Sequence, residues 1–543
     1  MARNLRGFLL GVYSLLLCPL ILQGTATDSP RIDVSQASQD AVTALPGAYY
    51  HGRINSTTTP EEFRHQGRSS HTASSSWVDD LGKRFEFASG RRALSSPSDT
   101  NIALINATPY RWRRVSIHQY QMVYWDQWPD CINPGESISH AAFGYRGVGQ
   151  AKDTAGEVVY QIEGTSRTMA FEVQYRMRSS RKLEICVYFE GVLETSTAPR
   201  CSFMGLGSSK APGGVSFILA GYEGNMTSTT GCGCEGCRQD ITWMNTLLPQ
   251  IGHLPLREII MPRSHHAALS KGVFTSKNVG VGKRNTVTQI NGVGEQLRTD
   301  RVRVLDTRVL LSRHGEFLEA HGTLFKRQWY GGTGANLEDV VDEVNRFNEE
   351  NPGELIIWDF YELLYKVNHR ATLPDDVDIT TISLKQLIGH RKSAVILHFS
   401  SKWKDANPET FPPPSQGFTH NGNFPTRTTW SEQYSVEKMS RHQLHELEVH
   451  RPRRDATLYD MQWLRTLTSI TVVTMPDDFT VIDMGRESMT ALRTALWNRL
   501  TDRTYPNWLT LDAIDGGELR ALAIAMNRCF VARECGDWVK SPR

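Results

Sequence analysis

Three short segments of the chain place ionisable side chains at or just after apolar, strand-like runs. The first, LREIIMPRSHH, delivers His265 and His266 at the exit of the predicted strand LREII. The second, VRVLDTRVLL, carries Asp306 and Arg308 at positions i and i+2, which puts both side chains on one face of a strand. The run that follows, EFLEA, leads into His321 at its end.

The third segment, PNWLTLDAID, places Asp512 at the end of the last predicted strand. Two histidines can act as base and acid across one phosphodiester, a guanidinium can hold phosphate oxygens, and carboxylates can orient imidazoles. We therefore predict His265, His321, Arg308, Asp306 and Asp512 as catalytic residues. Together they would support an in-line displacement at phosphorus that needs no metal ion or other cofactor.

The elements that must position these residues alternate along residues 241–543. Strand-like runs such as VRVLDTRVLL, ELIIWDF and SAVILHF are separated by helix-like runs such as LEDVVDEVNRFNEENPG. This alternation predicts the α/β class and a mostly parallel sheet. The length suits a closed TIM (β/α) barrel, with an irregular loop around residues 402–430. The chemistry of such barrels lies at the carboxyl ends of the strands.

Residues 98–224 have a different pattern, with short alternating runs such as EVVYQIEG, MAFEVQYRM and VSFILAGYEG between Gly and Pro. They predict an additional N-terminal all-β sandwich domain. Its many aromatic residues favour a packed core, and binding of a glycan or a membrane is the alternative. The composition of residues 27–97, rich in Ser, Thr, Gly and His, predicts a low-complexity, disordered arm. The polar, Cys-containing residues 225–240 are predicted to form a Cys-rich linker.

The N-terminus predicts secretion. Arg3 and Arg6 precede an apolar run that leads to the small residues GTA, the pattern of a signal peptide over residues 1–26. A membrane anchor is the alternative, because the run is close to the length that spans a bilayer. The net charge of +2 and the sequence pI of about 8.0 give no basic surplus that would indicate a nucleic-acid partner.

Eight of the nine cysteines follow the predicted signal peptide, an even set that favours disulfides in an oxidising compartment. We predict that all eight are paired, with Cys529 and Cys535 closing a short C-terminal loop. The segment CGCEGC is alternatively a metal knuckle, although no second ligand pair with zinc spacing follows it. Three Asn-x-Ser/Thr sequons fit a secreted surface: Asn55, Asn106 and Asn225.

The segment MPRSHHAAL resembles the Pro-Gly-Ser/Thr-His motif that opens the X domain of the phosphatidylinositol-specific phospholipase C family. VRVLDTRVLL, EFLEAHG and FNEENPGELIIWDF follow in the order of that family. The resemblance is tight over residues 256–351, places the X domain at about residues 256–400 and extends more weakly to residue 527. The two-domain layout is similar to that of secreted fungal members.

The resemblance implies that His265 is the general base, that His321 is the general acid and that Arg308 stabilises the charged phosphate. Asp306 and Asp512 become orienting carboxylates. The implied substrate is a phospholipid or a related phosphodiester, reached by peripheral contact with a membrane. The implied reaction forms a cyclic phosphodiester and releases diacylglycerol, and it either ends there or continues with hydrolysis of the cyclic product.

Several positions depart from the pattern of the family. Arg263 stands where the family usually carries Gly, and His266 stands where bacterial members carry an Asp that supports the acid. His266 is predicted to lie at the substrate as a neutral hydrogen-bond partner of His321. Because an imidazole cannot supply the negative charge of a carboxylate, the departure predicts a weaker acid.

Other departures concern the headgroup. Tyr361 occupies the position after ELIIWDF where bacterial enzymes place a Lys, and His398 stands on SAVILHF where they place an Arg. Trp430 and Tyr434 are predicted as an aromatic platform for a sugar ring, with packing on the surface as the alternative. We therefore predict Tyr361, Trp430 and Tyr434, together with His266, as substrate-binding residues.

The spacing of Asp306 and Arg308 also concerns metal dependence. Calcium-dependent phospholipases carry two carboxylates at this strand, whereas a guanidinium at position 308 repels a divalent ion and substitutes for its charge. The sequence therefore predicts no metal site. Two other functions remain open: a non-catalytic secreted protein that binds a lipid or glycan on the same barrel, and a glycoside hydrolase that uses Asp306 and Asp512.

Overall fold

The structure is a computed structural model. It describes residues 42–43, 100–120, 122–123, 125, 128–145, 155–179, 182–190, 200–205, 215–223, 225–228, 241–274, 282–312, 314–325, 328–360, 367–399, 401–406, 408–409, 411–467, 479–514 and 518–540. The predicted signal peptide (1–26), almost all of the predicted arm (27–97), the segment CGCEGC and the sequon at Asn55 lie outside the described residues. Within the described ranges, no helix is both long and apolar enough to cross a bilayer.

The first half of the described chain forms two β-sheets. The strands are β1 (Val42–Thr43), β2 (Thr100–Ala107), β3 (Trp112–Tyr120), β4 (Met122–Val123), β5 (Cys131–Ile132), β6 (Ser137–Tyr145), β7 (Ala155–Ile162), β8 (Thr168–Ser179), β9 (Lys182–Glu190), β10 (Arg200–Gly205), β11 (Val215–Tyr222) and β12 (Asn225–Ser228). One sheet has the order β10-β9-β8-β7-β3-β5, and the other has the order β12-β11-β2-β6-β4. Strand β12 contains the first residues of the predicted linker, which therefore belong to this domain, whereas β1 pairs with a strand of the second half.

Aromatic side chains form the core between these two sheets. Trp112, Trp128 and Phe171 come from the larger sheet and its loop, and Phe217 comes from the smaller one. The Phe171 ring lies 5.9 Å from Trp128 and 4.9 Å from Phe217, measured between ring centroids. These buried rings match the prediction of a packed core, since a ring enclosed between two sheets offers no platform to a glycan.

The sequon at Asn106 is not available for glycosylation. The Asn106 side chain has no exposed surface, and its Nδ2 donates hydrogen bonds to the carbonyls of Tyr110 and Ile132 at 2.7 and 3.0 Å. A glycan is attached to this same nitrogen and needs a side chain on the surface. The Asn-x-Ser/Thr pattern at Asn106 therefore does not mark an accessible glycosylation site in the folded protein.

The second half of the chain is built on a curled parallel sheet. Its eight strands are β13 (Met261–Ser264), β15 (Val304–Asp306), β19 (Leu355–Phe360), β20 (Ala394–Phe399), β21 (Phe418–His420), β22 (Thr426–Thr429), β23 (Leu458–Gln462) and β24 (Trp508–Leu511). Every pairing in this sheet is parallel, and the last strand, β24, pairs with the first, β13. Among the described strands, no hydrogen-bonded pairing joins β21 to β22, so the sheet is open there and differs from the predicted closed barrel.

Strands such as β20 are apolar because both of their faces are covered. All six residues of β20, AVILHF, are buried, as expected for a parallel strand with helices outside and side chains inside. Helix α4 (Leu337–Glu350), the fourth α-helix of the described chain, shows how the outer layer forms. The Asn336 side chain caps it by accepting the Glu338 N–H, and Val340, Val344 and Phe347 form its buried stripe.

The remaining helices surround the same sheet. In chain order the α-helices are α1 (Trp243–Ile251), α2 (Lys283–Thr286), α3 (Val293–Arg298), α4, α5 (Leu384–Leu387), α6 (Ser401–Ala406), α7 (Val436–His450), α8 (Val481–Trp497) and α9 (Glu518–Met526). Short 3₁₀ or π turns span Leu256–Glu258, Ile379–Thr381, Pro414–Gln416, Asn527–Val531 and Asp537–Lys540. The two halves of the chain pack directly on each other, because the Trp497 indole on α8 donates a hydrogen bond to the Gly135 carbonyl at 3.0 Å.

A separate antiparallel sheet is formed by the three strands between β15 and β19, together with two short strands from earlier in the chain. It has the order β1-β16-β17-β18-β14, with β14 (Val273–Phe274), β16 (Val309–Ser312), β17 (Phe317–Phe325) and β18 (Gln328–Asn336). The predicted single strand VRVLDTRVLL is therefore wrong. It is divided into β15 of the parallel sheet and β16 of the antiparallel one, because the chain leaves the parallel sheet after Asp306.

Two further predictions of secondary structure are corrected. The run LREII is a 3₁₀ turn at Leu256–Glu258, and the strand is Met261–Ser264, immediately before His265. The predicted irregular loop at residues 402–430 contains α6 and the strands β21 and β22, and α7 and β23 follow it. Three of the eight strands of the parallel sheet were thus missed because they are short and, in the case of TRTT, polar.

The predicted disulfide between Cys529 and Cys535 is present. The prediction that all eight mature cysteines are paired is wrong at Cys131, which is a free thiol on β5. Cys186 on β9 and Cys201 on β10 are direct cross-strand neighbours in the register of their sheet.

Candidate active site

His265 and Asp512 are brought together by the closing pair of strands. His265 follows β13 and Asp512 follows β24, and Ser264 is paired with Leu511 in the parallel register. His265 Nδ1 lies 2.8 Å from Asp512 Oδ1. Because a carboxylate is an acceptor, Nδ1 carries the proton and Nε2 keeps a lone pair. This is the geometry that prepares an imidazole to act as a base.

His321 lies in the middle of β17, not at the end of a strand as the sequence predicted. Its Nδ1 donates to the Thr286 carbonyl at 2.8 Å, so Nε2 is the atom free to exchange a proton. The rings of His265 and His321 have their centroids 6.0 Å apart. Burial, followed by the nearby His265, lowers the pKa of His321 to about 3, so this imidazole is neutral in the unliganded protein.

Arg308 lies in the two-residue connection between β15 and β16. One of its terminal nitrogens is 3.9 Å from Asp306 Oδ2, the side chain is 36% exposed, and its Nε has no hydrogen-bond partner among the described residues. Burial disfavours the charged form of Asp306, but Arg263 and Arg308 outweigh that effect and lower its pKa. Arg308 is therefore a cation that is accessible from solvent and retains donors for a bound anion.

His266 lies between the two proposed catalytic rings but is closed off from solvent. It has no exposed surface, and its Nδ1 is 2.8 Å from Oε1 of Glu319, which is equally buried. Burial, then the charge of Arg308, lowers the pKa of His266 well below its usual range. The structure thus gives His266 the buried carboxyl group of Glu319 as its partner, instead of the predicted position at the substrate as a hydrogen-bond partner of His321.

Arg263, noted from the sequence as a departure, is the centre of a charge network inside the sheet. Its guanidinium lies 2.6 Å from Asp460 Oδ2, 2.5 Å from Asp359 Oδ2 and 3.5 Å from Asp306 Oδ1. These carboxylates belong to β23, β19 and β15, and the guanidinium carbon also lies 5.5 Å from the centre of the Trp508 ring on β24. One side chain therefore ties together five strands and balances acidic groups that would otherwise repel a phosphate.

Sequence reasoning missed Asp359, Asp460 and Glu319. Burial raises the pKa of Asp359 to about 7, and the neighbouring Asp306 and Asp460 act in the same direction against the positive charge of Arg263. Asp359 sits at the end of the predicted strand ELIIWDF, so its position could have been noticed. Asp460 lies in the missed strand β23, and Glu319 precedes His321 by two residues, which gives weak signals at best.

The predicted headgroup residues are only partly described. Tyr361 lies outside the described residues. Trp430 and Tyr434 are half-buried, and the Arg465 guanidinium covers the Tyr434 ring at 4.6 Å from its centre. That cover favours the packing role for Tyr434 over an open platform. His398 is buried, its Nδ1 lies 3.1 Å from Thr419 Oγ1, and burial lowers its pKa to about 3, so it does not supply the positive charge of an Arg.

In the part of the chain that the structure describes, no group of His, Cys, Asp or Glu side chains is arranged to hold a metal ion. The arrangement that is present combines an oriented imidazole, a second imidazole with a free Nε2 and an accessible guanidinium. These groups can move two protons and hold an anion between them.

No protein-family model matches the chain, and no curated protein matches it either. Among solved structures, a histidine-to-tyrosine mutant of the phosphatidylinositol-specific phospholipase C from Staphylococcus aureus is similar, with a TM-score of 0.36 and 11% sequence identity. The match covers 51% of this chain and 94% of that chain. A similarity this distant does not assign a family, and the function must be inferred from the site.

Proposed function

We propose that this chain is a phosphoric diester hydrolase of the phosphatidylinositol-specific phospholipase C type, acting on a phospholipid headgroup without a metal ion. The observation that carries the proposal is the His265–Asp512 pair at 2.8 Å, with the ring of a second imidazole, that of His321, 6.0 Å from the His265 ring. Along with burial and His265, the partly exposed cation of Arg308 is near enough to lower the pKa of His321. A base, an acid and an anion clamp within one site are what in-line displacement at phosphorus requires.

In the proposed first step, His265 Nε2 removes the proton of the substrate hydroxyl that attacks phosphorus. His321, protonated on Nε2, gives its proton to the departing glycerol oxygen. One P–O bond forms and one breaks, so the products are a cyclic phosphodiester and diacylglycerol. Arg308 stabilises the charge on the non-bridging oxygens. Water then opens the cyclic product with the two histidines in exchanged roles.

The acid must gain a proton before it can give one. Burial keeps His321 neutral in the empty site, because it lowers the pKa to about 3. A bound phosphodiester brings a negative charge next to the ring, and an adjacent negative charge raises the pKa of an imidazole. We therefore infer that substrate binding itself protonates His321.

The alternative function, that of a glycoside hydrolase, is less well supported. A glycosidase needs two carboxyl groups free to reach a glycosidic bond. Asp512 is hydrogen-bonded to His265, and Asp306 lies within 4 Å of two guanidinium groups, those of Arg263 and Arg308. A site whose carboxylates are committed to imidazoles and guanidinium groups suits a phosphate better than a sugar.

We further propose that the protein is secreted and contacts membranes peripherally, since the substrate lies in a bilayer and the N-terminus has the pattern of a signal peptide. The test is incubation of the purified protein with vesicles of phosphatidylinositol, phosphatidylcholine or sphingomyelin. Water-soluble phosphorus is then followed by ³¹P NMR, which separates cyclic from open phosphodiesters. A cyclic product from phosphatidylinositol is expected, and the absence of soluble phosphorus from every lipid rejects the proposal.

A further inference from the structure

Glu319 is a buried carboxyl group for which the proposed mechanism has no use. It lies on β17 two residues before His321, so both side chains point to the same face of the strand. Its Oε1 is 2.8 Å from His266 Nδ1, and its two oxygens accept the backbone N–H of Arg308 at 3.2 and 3.3 Å. A buried carboxyl group is unfavourable unless it is hydrogen-bonded, and these bonds explain how it is tolerated.

The partner of Glu319 is the residue between the two proposed catalytic rings. The His266 ring centroid lies 4.3 Å from that of His321, with the ring planes 32° apart, and 4.5 Å from that of His265. The His266 backbone has a φ of 44°, in the left-handed region that side chains other than glycine adopt at a cost of about 1–2 kcal/mol. Such a conformation persists only where the surroundings hold it in place.

We propose, as an inference that rests on the proposed function, that Glu319 is a positioning residue for both His321 and Arg308. Through the His266 ring it fixes the plane against which the His321 ring packs. Through the Arg308 backbone N–H it fixes the point from which the guanidinium extends. One buried side chain thereby sets the distance between the acid and the phosphate clamp.

The hydrogen bonds, more than a negative charge, are what this role requires. Burial, followed by the nearby Asp306, raises the pKa of Glu319 well above its usual range, and burial lowers that of His266. Both shifts favour the neutral form of each group, and in a neutral pair the Glu319 hydroxyl donates to His266 Nδ1. Glutamine has the same shape and can also donate to His266 and accept from Arg308, so it is a faithful substitute.

Three variants test the role by their turnover of phosphatidylinositol. Glu319→Gln is expected to stay within about fivefold of the wild type. Glu319→Met removes both hydrogen bonds, so kcat should fall about 100-fold, the loss typical of a misplaced catalytic group, and KM should rise. His266→Phe removes the hydrogen bond that links Glu319 to the ring packed against His321 but leaves the bonds to the Arg308 backbone, so kcat should fall while KM is unchanged.

The matched control is Glu316→Gln, which changes an exposed carboxyl group three residues earlier in the chain and should leave both constants unchanged. A Glu319→Gln variant as impaired as Glu319→Met would show that charge matters and would overturn the proposal. A His266→Phe variant with wild-type kcat would also overturn it, and this arm decides the question if Glu319→Met does not fold.

A second readout separates this inference from the proposed function. In ¹⁵N-histidine-labelled protein, the ring-nitrogen signals of His321 should move in Glu319→Met and stay in place in Glu319→Gln. If the wild type cleaves no phosphodiester but these shifts are seen, the proposed function fails and the positioning role of Glu319 stands. If His321 signals are the same in Glu319→Met and the wild type, the positioning role is refuted whatever the activity.

Discussion

Replacing Asp512 with asparagine changes the proposed base with almost no change of shape. The carboxylate accepts the His265 Nδ1–H at 2.8 Å, and the two side chains are only 9% and 15% exposed, so water screens the bond weakly. The asparagine NH₂ group would instead donate to Nδ1. The ring proton would then move to Nε2, and the atom that must accept the substrate proton would already carry one.

The expected loss follows from that change of tautomer. Substituting Asn for the Asp of a His–Asp pair lowers kcat about 10⁴-fold in a serine protease, which is about 5.5 kcal/mol of transition-state stabilisation. Here the asparagine can also turn its carbonyl toward Nδ1, which restores part of the correct tautomer. We therefore expect a decrease in kcat of about 10³-fold, or about 4 kcal/mol.

The assay is the initial rate of soluble phosphorus release from phosphatidylinositol vesicles, with thermal unfolding measured on the same samples. Asp455→Asn is the matched control, because that carboxyl group is 62% exposed and pairs with the exposed Arg453. The control should keep the wild-type rate. A folded Asp512→Asn protein with a rate within tenfold of the wild type would refute the assignment of His265 as a base oriented by Asp512.

Four further outcomes are expected. EDTA should leave activity intact because Arg308 replaces the charge of a metal ion, and activity lost in EDTA and restored by calcium would contradict this. His265→Ala and His321→Ala should each lower kcat by at least about 100-fold with little change in thermal stability, as kinetics and calorimetry can check. Arg263→Met should lower the free energy of unfolding by about 3–5 kcal/mol in urea titrations, because it leaves Asp460 buried without its guanidinium partner. A loss below about 1 kcal/mol would be inconsistent with a stabilising ion pair between Arg263 and Asp460. Because a bound anion raises the low pKa of His321, binding of a non-hydrolysable phosphodiester should take up a proton and become tighter as the pH falls from 8 to 6. Calorimetry in buffers of different ionisation enthalpy measures this proton uptake, and equal heats of binding in all buffers would disprove it.

The parts of the fold that the sequence predicted correctly are those with a strong local signal. The apolar runs at Leu355–Phe360 and Ala394–Phe399 are strands, and the periodic run at Leu337–Glu350 is a helix. Burial on both faces or along one stripe leaves a pattern in the residues themselves. By contrast, Phe418–His420 and Thr426–Thr429 are too short or too polar to give such a pattern.

The candidate site divides in the same way. His265 and Asp512 could be selected as residues at strand exits, because a strand and its end are local features of the chain. Their pairing could not be read locally, since 247 residues separate them and only the contact of the last strand with the first brings them together. His321 shows the opposite case, a residue selected for a strand end that lies inside a strand of another sheet.

By itself the sequence determined the residue types available for chemistry, the strands and the helix with a strong hydrophobic pattern, and the disulfide between Cys529 and Cys535. Only the tertiary structure decided how charges are paired, as when Arg263 meets carboxylates on three strands and Glu319 meets His266. The physical reason is the separation along the chain of the residues that interact. Hydrophobic periodicity acts between neighbours in the chain, whereas hydrogen bonds and buried charges depend on distances of a few ångströms between segments that only folding brings together.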